Sequence, residues 1–419
     1  MVRELKHTEI GDIPVDWELQ TFDETFRVIS NNTLSRENLN NRGGAVRNIH
    51  YGDILTKFPE VLDCNEEEIP YVNELSLLSS STQLLQDGDI VVVDTAEDET
   101  VGKVIEVQNL GDSKLVAGLH TIPCRVKKGE FAPGWLGYYM NSDLFHNQIM
   151  PYITGIKVSS ISKGAISETL ILVPPFDEQE KIVQSLNKIQ LLMTAEIKVV
   201  NKIKLVKNGC LSKMFPQKDD TVPEMRLPGF TEAWEQRKLG EVGSVSMCRR
   251  IFKEQTSESG DIPFYKIGTF GGQADAYISS ELFAEYRSKY PYPKEGDILI
   301  SASGSIGRTV EFTGKNEYFQ DSNIVWLSHD DRLDNSFLKC FYSVVKWAGI
   351  EGSTIKRLYN DNILNTVISM PSVDEQRRIG TFFKELDNLI TLHQCKCDKY
   401  SNIKKGMMSD LLTGKIRLV

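Results

Sequence analysis

Two long amphipathic segments dominate the hydrophobic pattern of the chain. Each follows a proline and carries Asp and Glu in its first turn, where the helix dipole favours negative charge. Apolar residues then recur at coiled-coil spacing for about five heptads, which predicts two long helices. The first seam consists of Ile182, Leu186, Ile189, Met193, Val200, Ile203, Cys210 and Met214. The second consists of Ile379, Phe383, Leu386, Ile390, Cys397, Tyr400, Met407 and Leu411.

Polar residues interrupt both seams at matching positions. Glu196 and Lys207 in the first seam correspond to His393 and Lys404 in the second. Polar residues buried in a seam can fix its register, whereas polar residues at an exposed edge would have no such role, and both interpretations stay open. Each helix alone would leave an apolar stripe in water. We therefore expect the two helices to pack on each other, antiparallel, with a globular block at either end.

The segments between the long helices predict globular blocks rich in strands. Apolar or β-branched runs bounded by turn residues predict strands at residues 89–93, 170–173, 297–302 and 367–370. Short amphipathic runs predict helices at residues 135–150 and 336–347. The predicted fold class is therefore α+β, with two globular domains and two long helices that form an antiparallel coiled coil.

The two halves of the chain are related by a duplication. Asp177-Glu178-Gln179 recurs as Asp374-Glu375-Gln376, 197 positions later. Trp17, near the start of the first half, corresponds to Trp234 in the second. The duplication predicts a pseudo-two-fold repeat with a globular domain at 1–175, a helix at 176–217, a linker at 218–227, a second globular domain at 228–371 and a second helix at 372–419. The first seam would span roughly 50 Å, more than the 34–36 Å or so of one DNA turn. Such a rod suits a chain that reads two short sequences at a fixed distance.

Charge and composition restrict the function classes. Of the net charge of −10, residues 1–175 carry −12 and residues 228–371 carry −3, whereas each helical segment carries +3. A DNA-binding surface must therefore be a local patch, with partners supplying much of the phosphate contact. No apolar run is long enough to span a membrane, and the first residues lack a signal-peptide pattern, so we expect a cytoplasmic protein.

Motifs of catalysis are missing from the sequence. It contains no GxGxxG or GxxxxGK[ST] phosphate loop, and Val173 stands where an adenine methyltransferase motif would need Asn or Asp before Pro-Pro-aromatic. The six histidines are scattered, and the seven cysteines form no CxxC pair. We expect no catalytic residue, no metal site and no cofactor in this chain.

Three sequence features resemble the specificity subunits of type I restriction–modification systems. The first is Val-Pro-Glu-Met-Arg-Leu-Pro-Gly-Phe at 222–230, which runs into Trp-Glu-Gln-Arg-Lys-Leu-Gly-Glu at 234–241. The second is the Pro-x-x-Asp-Glu-Gln-x-x-Ile helix start, present twice, and the third is Leu-Leu-Thr-Gly-Lys-Ile-Arg-Leu at 411–418. The resemblance extends over essentially the whole chain. The acidic first block departs from the family pattern and leaves open which of its faces meets DNA.

The resemblance implies a function and a set of partners. Each globular domain would be a target recognition domain that reads one half of a bipartite, asymmetric site in double-stranded DNA. The helices would dock two DNA-methyltransferase subunits, which use S-adenosylmethionine, and restriction would need two further motor-nuclease subunits that use ATP with Mg²⁺. The Asp-Glu-Gln triplets start the two helices and are interpreted as partner-binding residues near a subunit junction, with simple capping of the helix start as the alternative. They are Asp177, Glu178 and Gln179 with Asp374, Glu375 and Gln376.

Loops rich in hydroxyl and basic side chains are the candidate DNA contacts, because such groups bind phosphates and base edges. One loop recurs in both halves, and a second is glycine-rich, so that backbone N–H groups can approach a phosphate closely. The candidate residues are Lys157, Ser159, Ser160 and Lys163 in the first half, and Ser303, Ser305, Arg308, Ser353, Thr354, Lys356, Arg357, Tyr359 and Asn360 in the second.

Two other functions remain open from the sequence. The coiled coil could join two domains that read no DNA, which would make the chain a protein-interaction scaffold. A self-contained nuclease or methyltransferase with a degenerate site would bind metal or S-adenosylmethionine on its own, and the missing motifs argue against it.

Overall fold

The computed structural model describes residues 4–155, 157–217, 220–347 and 356–418. The chain divides into two compact units. The first unit comprises Met1–Ala195 with Lys396–Val419, and the second comprises Glu196–Cys395. Each unit combines strands with helices, so the fold class is α+β. No helix in the described ranges is both long enough and apolar enough to cross a membrane.

The first unit is built around a mixed sheet. Its strand order is Phe26–Val28, Thr121–Val126, Ile90–Val93, Val104–Gln108 and Val61–Asp63. A second sheet has the order Leu115–Ala117, Arg47–Ile49, Tyr71–Val72 and Leu39–Asn40. Strand pairs are Leu5–Thr8 with Gly11–Pro14, Thr95–Ala96 with Ser159–Ser160, and Glu18–Thr21 with Leu170–Val173. The short α-helices are Phe22–Thr25, Tyr51–Thr56, Trp135–Tyr139, Asp143–Ile149 and Lys163–Ser167, and 3-10 turns lie at Arg36–Asn38, Leu75–Leu77 and Met150–Tyr152.

The second unit repeats part of this plan. Its main sheet has the order Gly243–Met247, Ile324–His329, Ile298–Ser301 and Thr309–Glu311. A smaller sheet has the order Tyr277–Ile278, Ile262–Tyr265 and Tyr318–Phe319, and Glu235–Lys238 pairs with Val367–Met370. The short helices are Leu239–Val242, Ser280–Lys289, Asn335–Val344 and Asn360–Leu364, with a 3-10 turn at Lys253–Gln255.

Burial of apolar side chains explains these elements. In the first unit, the strand Ile90–Val93 is buried along its whole length, and Trp135 packs edge-on against Trp17 in the core. In the second unit, the strand Ile298–Ser301 is buried likewise, and Phe337 packs against Trp234. Continuous apolar runs of this kind are typical of strands covered on both faces.

The predicted helix at 135–150 is wrong as a single element. The segment forms two helices, Trp135–Tyr139 and Asp143–Ile149, with Ser142 between them. The Ser142 hydroxyl donates to the carbonyl of Tyr139 and accepts from the backbone N–H of Phe145. Ser142 is thus the N-cap of the second helix, and caps of this kind favour a new helix start over continuation.

Two helices in the described ranges are far longer than the others: Phe176–Met214, the first long helix, and Val373–Leu411, the second long helix, of 39 residues each. Every residue of both predicted seams is buried or half-buried. Several apolar residues off the seams are exposed, among them Leu191 and Leu205. The heptad pattern therefore identified the face of each helix that is shielded from water.

The polar breaks in the seams form pairs between the long helices. In the second unit, Glu196 bonds the ring of His393, and the Lys207 ammonium lies 2.5 Å from the Asp387 carboxylate. In the first unit, the Lys404 ammonium donates to Gln190 at 2.7 Å and to the carboxylate of Glu60 at 2.5 Å. Lys404 is only 6% exposed. These breaks are therefore satisfied polar pairs.

Replacement of Glu60 with alanine should destabilise the protein strongly. Glu60 supplies the carboxylate that neutralises the buried Lys404 ammonium, and a buried charge without its partner costs roughly 3 kcal/mol or more. Chemical denaturation of the Glu60→Ala variant measures this loss. Glu224→Ala is the matched control, because Glu224 pairs with Lys213 on the surface, and this variant should unfold like the parent. Equal stability of both variants would contradict the role given to Glu60.

Candidate nucleic-acid interface

In the second unit, the structure joins the two candidate loops that the sequence identified separately. The glycine-rich loop follows the strand Ile298–Ser301, and its Ser303 forms a β-bridge with Arg357 of the other loop. The Leu358 N–H donates to the carbonyl of Ala302 at 2.8 Å, and the Gly304 N–H donates to the carbonyl of Lys356 at 3.1 Å. The two loops therefore form one structure at the end of the main sheet.

A third segment, the turn before the strand Ile324–His329, completes this site. The Ser303 hydroxyl donates to the Asn323 side-chain oxygen at 2.8 Å, and the Arg357 guanidinium donates to the Ser322 hydroxyl at 3.0 Å. The Ala302 N–H donates to the backbone carbonyl of Asn323 at 2.8 Å. The result is a cluster of the Arg357, Asn323 and Ser322 side chains, which can bond phosphate oxygens and base edges. Ser303 is only 6% exposed, so its hydroxyl holds Asn323 in place and is not itself a free contact group.

The other candidates of the second unit lie around this cluster. Ser305, Lys356, Tyr359 and Asn360 are exposed, and Asn360 opens the helix Asn360–Leu364. The Arg308 guanidinium donates to the carbonyl of Phe270 at 2.7 Å. Ser353 and Thr354 lie outside the described residues. Gly304 and Gly307 have φ of 66° and 84°, a left-handed backbone that glycine adopts without strain.

The first unit repeats this backbone arrangement with different side chains. Ser159–Ser160 pairs with Thr95–Ala96, and the Ile161 N–H donates to the carbonyl of Asp94 at 2.9 Å, as Leu358 does to Ala302. The Asp94 N–H donates to the carbonyl of His120 at 3.2 Å, as Ala302 does to Asn323. His120 and Asn323 therefore hold equivalent positions in the two clusters.

Side chains around the first cluster differ in charge from those around the second. The His120 ring lies 3.4 Å from the Asp94 carboxylate and packs edge-on against Tyr51, which stacks on His50. Burial lowers the pKa of His50, whose ring accepts from the Gly52 N–H. Lys157 and Lys163 are exposed, and Ser159 and Ser160 are half-buried. The first cluster thus combines hydroxyl, imidazole and carboxylate groups with two lysines.

Sequence reasoning missed Asp94, His120, Ser322 and Asn323. A usable signal was present, because His120 and Asn323 each directly precede a buried apolar strand, Thr121–Val126 and Ile324–His329. His120 also has a φ of 57°, which is uncommon for a residue with a side chain and belongs to a tight turn. In an antiparallel sheet, the residue just before a central strand lies at the same end of the sheet as the loops that follow the neighbouring strands.

The Asp-Glu-Gln triplets lie where the long helices begin, and Glu178 forms an ion-pair network with Arg417 and Asp16. Its carboxylate accepts from the Arg417 guanidinium at 2.7 Å through each oxygen, and from the Trp17 indole N–H at 3.0 Å. The same guanidinium bonds both carboxylate oxygens of Asp16, at 2.9 and 2.7 Å. Arg417 accordingly lowers the pKa of Asp16.

The second unit forms the corresponding ion pair with an arginine from another part of the chain. Arg226 donates to both carboxylate oxygens of Glu375 at 2.7 Å, and this pairing raises the pKa of the guanidinium. Ala233 stands where the first unit has Asp16. As a result, the Nη1 atom of Arg226 is buried without a hydrogen-bond partner among the described residues. The indole N–H of Trp234 lacks a described partner as well, although Trp17 donates to Glu178 in the first unit.

The glutamines of the triplets tie each long helix to its own unit. The Gln179 amide accepts from the Ala132 N–H and donates to the carbonyl of Pro174, both at 2.9 Å. The Gln376 amide accepts from the Asp334 N–H at 2.8 Å and donates to the carbonyl of Pro371 at 3.0 Å. Equivalent bonds in the two units show that the duplication preserves this joint.

The burial of the triplets changes their interpretation. Glu178, Gln179, Glu375 and Gln376 are each at most 2% exposed and are bonded within their own units, so they offer no free polar surface. Their contacts assign them to the joint between helix and block. Asp177 and Asp374 are exposed, and for these two the partner-binding interpretation stays a prediction. The described residues contain no group of three or more His, Cys, Asp or Glu side chains that could hold a metal ion.

Comparisons with known proteins agree with the resemblance found in the sequence. Residues 231–399 match the model of the type I restriction modification DNA specificity domain. A type I restriction enzyme specificity subunit of Haemophilus influenzae is 45% identical over 252 residues, which are 59% of this chain and 64% of the relative. This chain therefore spans slightly less than two thirds of that relative's length.

Two further matches cover nearly the whole chain. The type I restriction enzyme MjaX specificity subunit of Methanocaldococcus jannaschii is 24% identical over 99% of this chain and 96% of its own length. The crystal structure of the type I restriction–modification S subunit from M. genitalium has 14% identity and a TM-score of 0.58, over 98% of this chain and 99% of that one. The resemblance to type I specificity subunits is confirmed, and the structural match shows a shared fold.

Replacement of Ala233 with aspartate should stabilise the protein. The new carboxylate would accept from the unpartnered Nη1 atom of Arg226, as Asp16 accepts from Arg417, and relief of one buried unsatisfied donor is worth about 1 kcal/mol or more. The midpoint of thermal unfolding should rise by roughly 2–4 °C. Ala233→Asn is the control without a charge and should gain less. A lower midpoint for Ala233→Asp would contradict the equivalence of the Arg226–Glu375 pair and the Arg417 ion-pair network.

Proposed function

We propose that this chain is the sequence-specific DNA-binding subunit that directs methyltransferase and restriction subunits to a bipartite, asymmetric site in double-stranded DNA. The observation that carries the proposal is the repeated loop cluster. Both units bring the same two loops together through the same backbone bonds, yet present different side chains. One scaffold with two sets of polar side chains suits the reading of two different half-sites.

The chemistry of the two clusters supports different roles in recognition. Arg357 and Asn323 offer the groups that commonly bond guanine and adenine edges, and Arg357 can also neutralise a phosphate. The first cluster offers His120, Asp94 and Thr95, and its Asp94 carboxylate opposes the charge of Lys157 and Lys163, whereas three basic residues lie at or around the second cluster: Arg308, Lys356 and Arg357. We therefore expect the second unit to contribute more of the salt-dependent affinity.

The long helices provide the surface for the partners in this proposal. We propose that they pair as an antiparallel coiled coil, which the Glu196–His393 and Lys207–Asp387 pairs support. Two DNA-methyltransferase subunits would dock on the helices, where Leu205 is 74% exposed. Leu205 is adjacent to the exposed Val206, and Leu191 is adjacent to the exposed Leu192; adjacent exposed apolar side chains, unlike single ones, are typical of surfaces covered by a partner. Asp177 and Asp374 would lie at the rim of the docking surface.

Catalysis belongs to the partners in this proposal. The methyltransferase subunits would bind S-adenosylmethionine, and the motor-nuclease subunits would bind ATP with Mg²⁺. This chain would contribute sequence choice alone, through side chains that bond DNA without making or breaking a covalent bond.

Genome-wide adenine methylation in cells that express this chain with its cognate methyltransferase subunits tests the proposal. Modification should appear at a split motif, with two short half-sites separated by a fixed run of unspecified bases. Exchange of residues 228–371 for those of a related chain should change one half-site and leave the other unchanged. The unexchanged chain, expressed in parallel, is the control.

Two results would contradict the proposal. The first is a complex that assembles but methylates no defined sequence, and the second is a contiguous motif that the exchange leaves unaltered. Either would favour the scaffold function, in which the duplication serves assembly.

Replacement of Arg357 with alanine should weaken DNA binding by the assembled complex by about tenfold and make it less dependent on salt. Arg332→Ala is the matched control. Both arginines belong to the second unit, but Arg332 pairs with Asp330 beyond the far end of the strand Ile324–His329. Titration of labelled DNA at several salt concentrations measures both effects. Equal losses in the two variants would remove Arg357 from the interface.

A further inference from the structure

The first unit closes one edge of its main sheet with its own chain. The strand Val61–Asp63 runs parallel to Val104–Gln108, and the Glu106 N–H donates to the carbonyl of Glu60 at 2.9 Å. Further along, the Asn141 amide accepts from the Val104 N–H at 3.1 Å and donates to its carbonyl at 2.7 Å. The polar backbone groups at this edge are thereby satisfied.

The equivalent edge of the second unit is the strand Thr309–Glu311. Its equivalence follows from the same backbone bond, because the Phe312 N–H donates to the carbonyl of Asp297 as the Val107 N–H does to that of Asp89. Thr309 thus takes the position of Val104. Among the described residues, no strand pairs with the outer side of Thr309–Glu311. An unpaired edge is a template for a strand from another chain.

Two substitutions in the neighbouring helix determine where this edge is open. Ser343 replaces Asn141, and its hydroxyl donates to the carbonyl of Lys339 instead. Lys339 replaces Gly137, where a Cβ would lie 2.4 Å from the Glu60 carbonyl oxygen. Its ammonium pairs with Glu311 at 3.0 Å. The edge is therefore obstructed at Glu311 and open at Thr309.

A cleft of about 540 Å³ lies along the open part of the edge. Thr309, Ser343, Ser336 and Lys207 are among the residues that line it. In the first unit, the equivalent of Lys207 is Lys404, which binds the Glu60 carboxylate, and the equivalent of Ser336 is Gly134, which lies against Val61. The cleft thus takes the place that Glu60 and Val61 fill in the first unit.

We infer that this cleft binds an extended segment of a docked methyltransferase subunit. The segment adds to the sheet at the Thr309 backbone. Lys207 already pairs with Asp387, which stands where the first unit has Gln190, so the segment needs no acidic side chain at that point. Strand addition of this kind gains affinity from main-chain bonds and specificity from side-chain pockets. The inference rests on the proposed function, because that function supplies the partner.

A photo-crosslinking amino acid at position 343 tests the inference in the complex of the full chain with its cognate methyltransferase subunits. Benzoylphenylalanine in place of Ser343 should crosslink to a methyltransferase subunit, and mass spectrometry should locate the crosslink in one continuous segment of that subunit. The same probe in place of Ser288 is the control. Ser288 is exposed on the helix Ser280–Lys289 of the same unit and lines no part of this cleft.

The outcomes separate this inference from the proposed function. A complex that assembles and methylates its split motif, but crosslinks at position 343 to nothing or only within this chain, would overturn the inference and leave the function intact. A complex that does not assemble would overturn both.

A matched pair of variants gives a second measurement. Ser343→Asn restores the amide that closes the edge in the first unit, so it should weaken binding of the methyltransferase subunit at least fivefold. Ser343→Ala removes the hydroxyl without supplying an amide and should bind like the parent. Equal affinity of both variants, measured by titration of labelled methyltransferase subunit, would overturn the inference.

Discussion

A buried carboxylate in the first turn of each long helix is the constraint on which the rest of the structure depends. Glu178 and Glu375 are at most 2% exposed, and a carboxylate so deeply buried is costly unless it is paired. A guanidinium that bonds both carboxylate oxygens neutralises the charge and matches the planar geometry of the carboxylate. Each unit must therefore bring an arginine to that point, and the segments 222–230 and 411–418 place Arg226 and Arg417 there.

This joint also positions the loops that we assign to DNA. In the first unit, the chain runs from Ser159–Ser160 through the helix Lys163–Ser167 and the strand Leu170–Val173 directly into the first long helix. The Gln179 amide then holds the helix start against Ala132. Few residues separate the cluster from this junction, so the junction fixes where the loop lies relative to the start of the helix. Under the proposed function, a partner docked on the helix would meet DNA at a position that the junction determines.

The sequence predicted features that depend on local pattern. Heptad spacing identified the buried faces of the long helices, and the duplication identified the loop that recurs in both halves. The sequence did not show that the glycine-rich loop bonds its neighbour through Ser303 and Arg357, because this contact joins distant parts of the chain. The sequence likewise did not show that Glu178 and Glu375 of the triplets are buried against arginines, because the arginines lie far along the chain, Arg417 being 239 positions from Glu178.

The source of each arginine bears on the order in which the units can mature during synthesis. Arg226 is translated before Glu375, so the Arg226–Glu375 ion pair can form as soon as the start of the second long helix has been synthesised. Arg417 is translated after the whole of the second unit, although the first unit's block precedes it. The first block therefore leaves the ribosome with Glu178 still unpaired, and it waits in that state while the second block is made. The part of the protein that is synthesised first is thus the last to be completed.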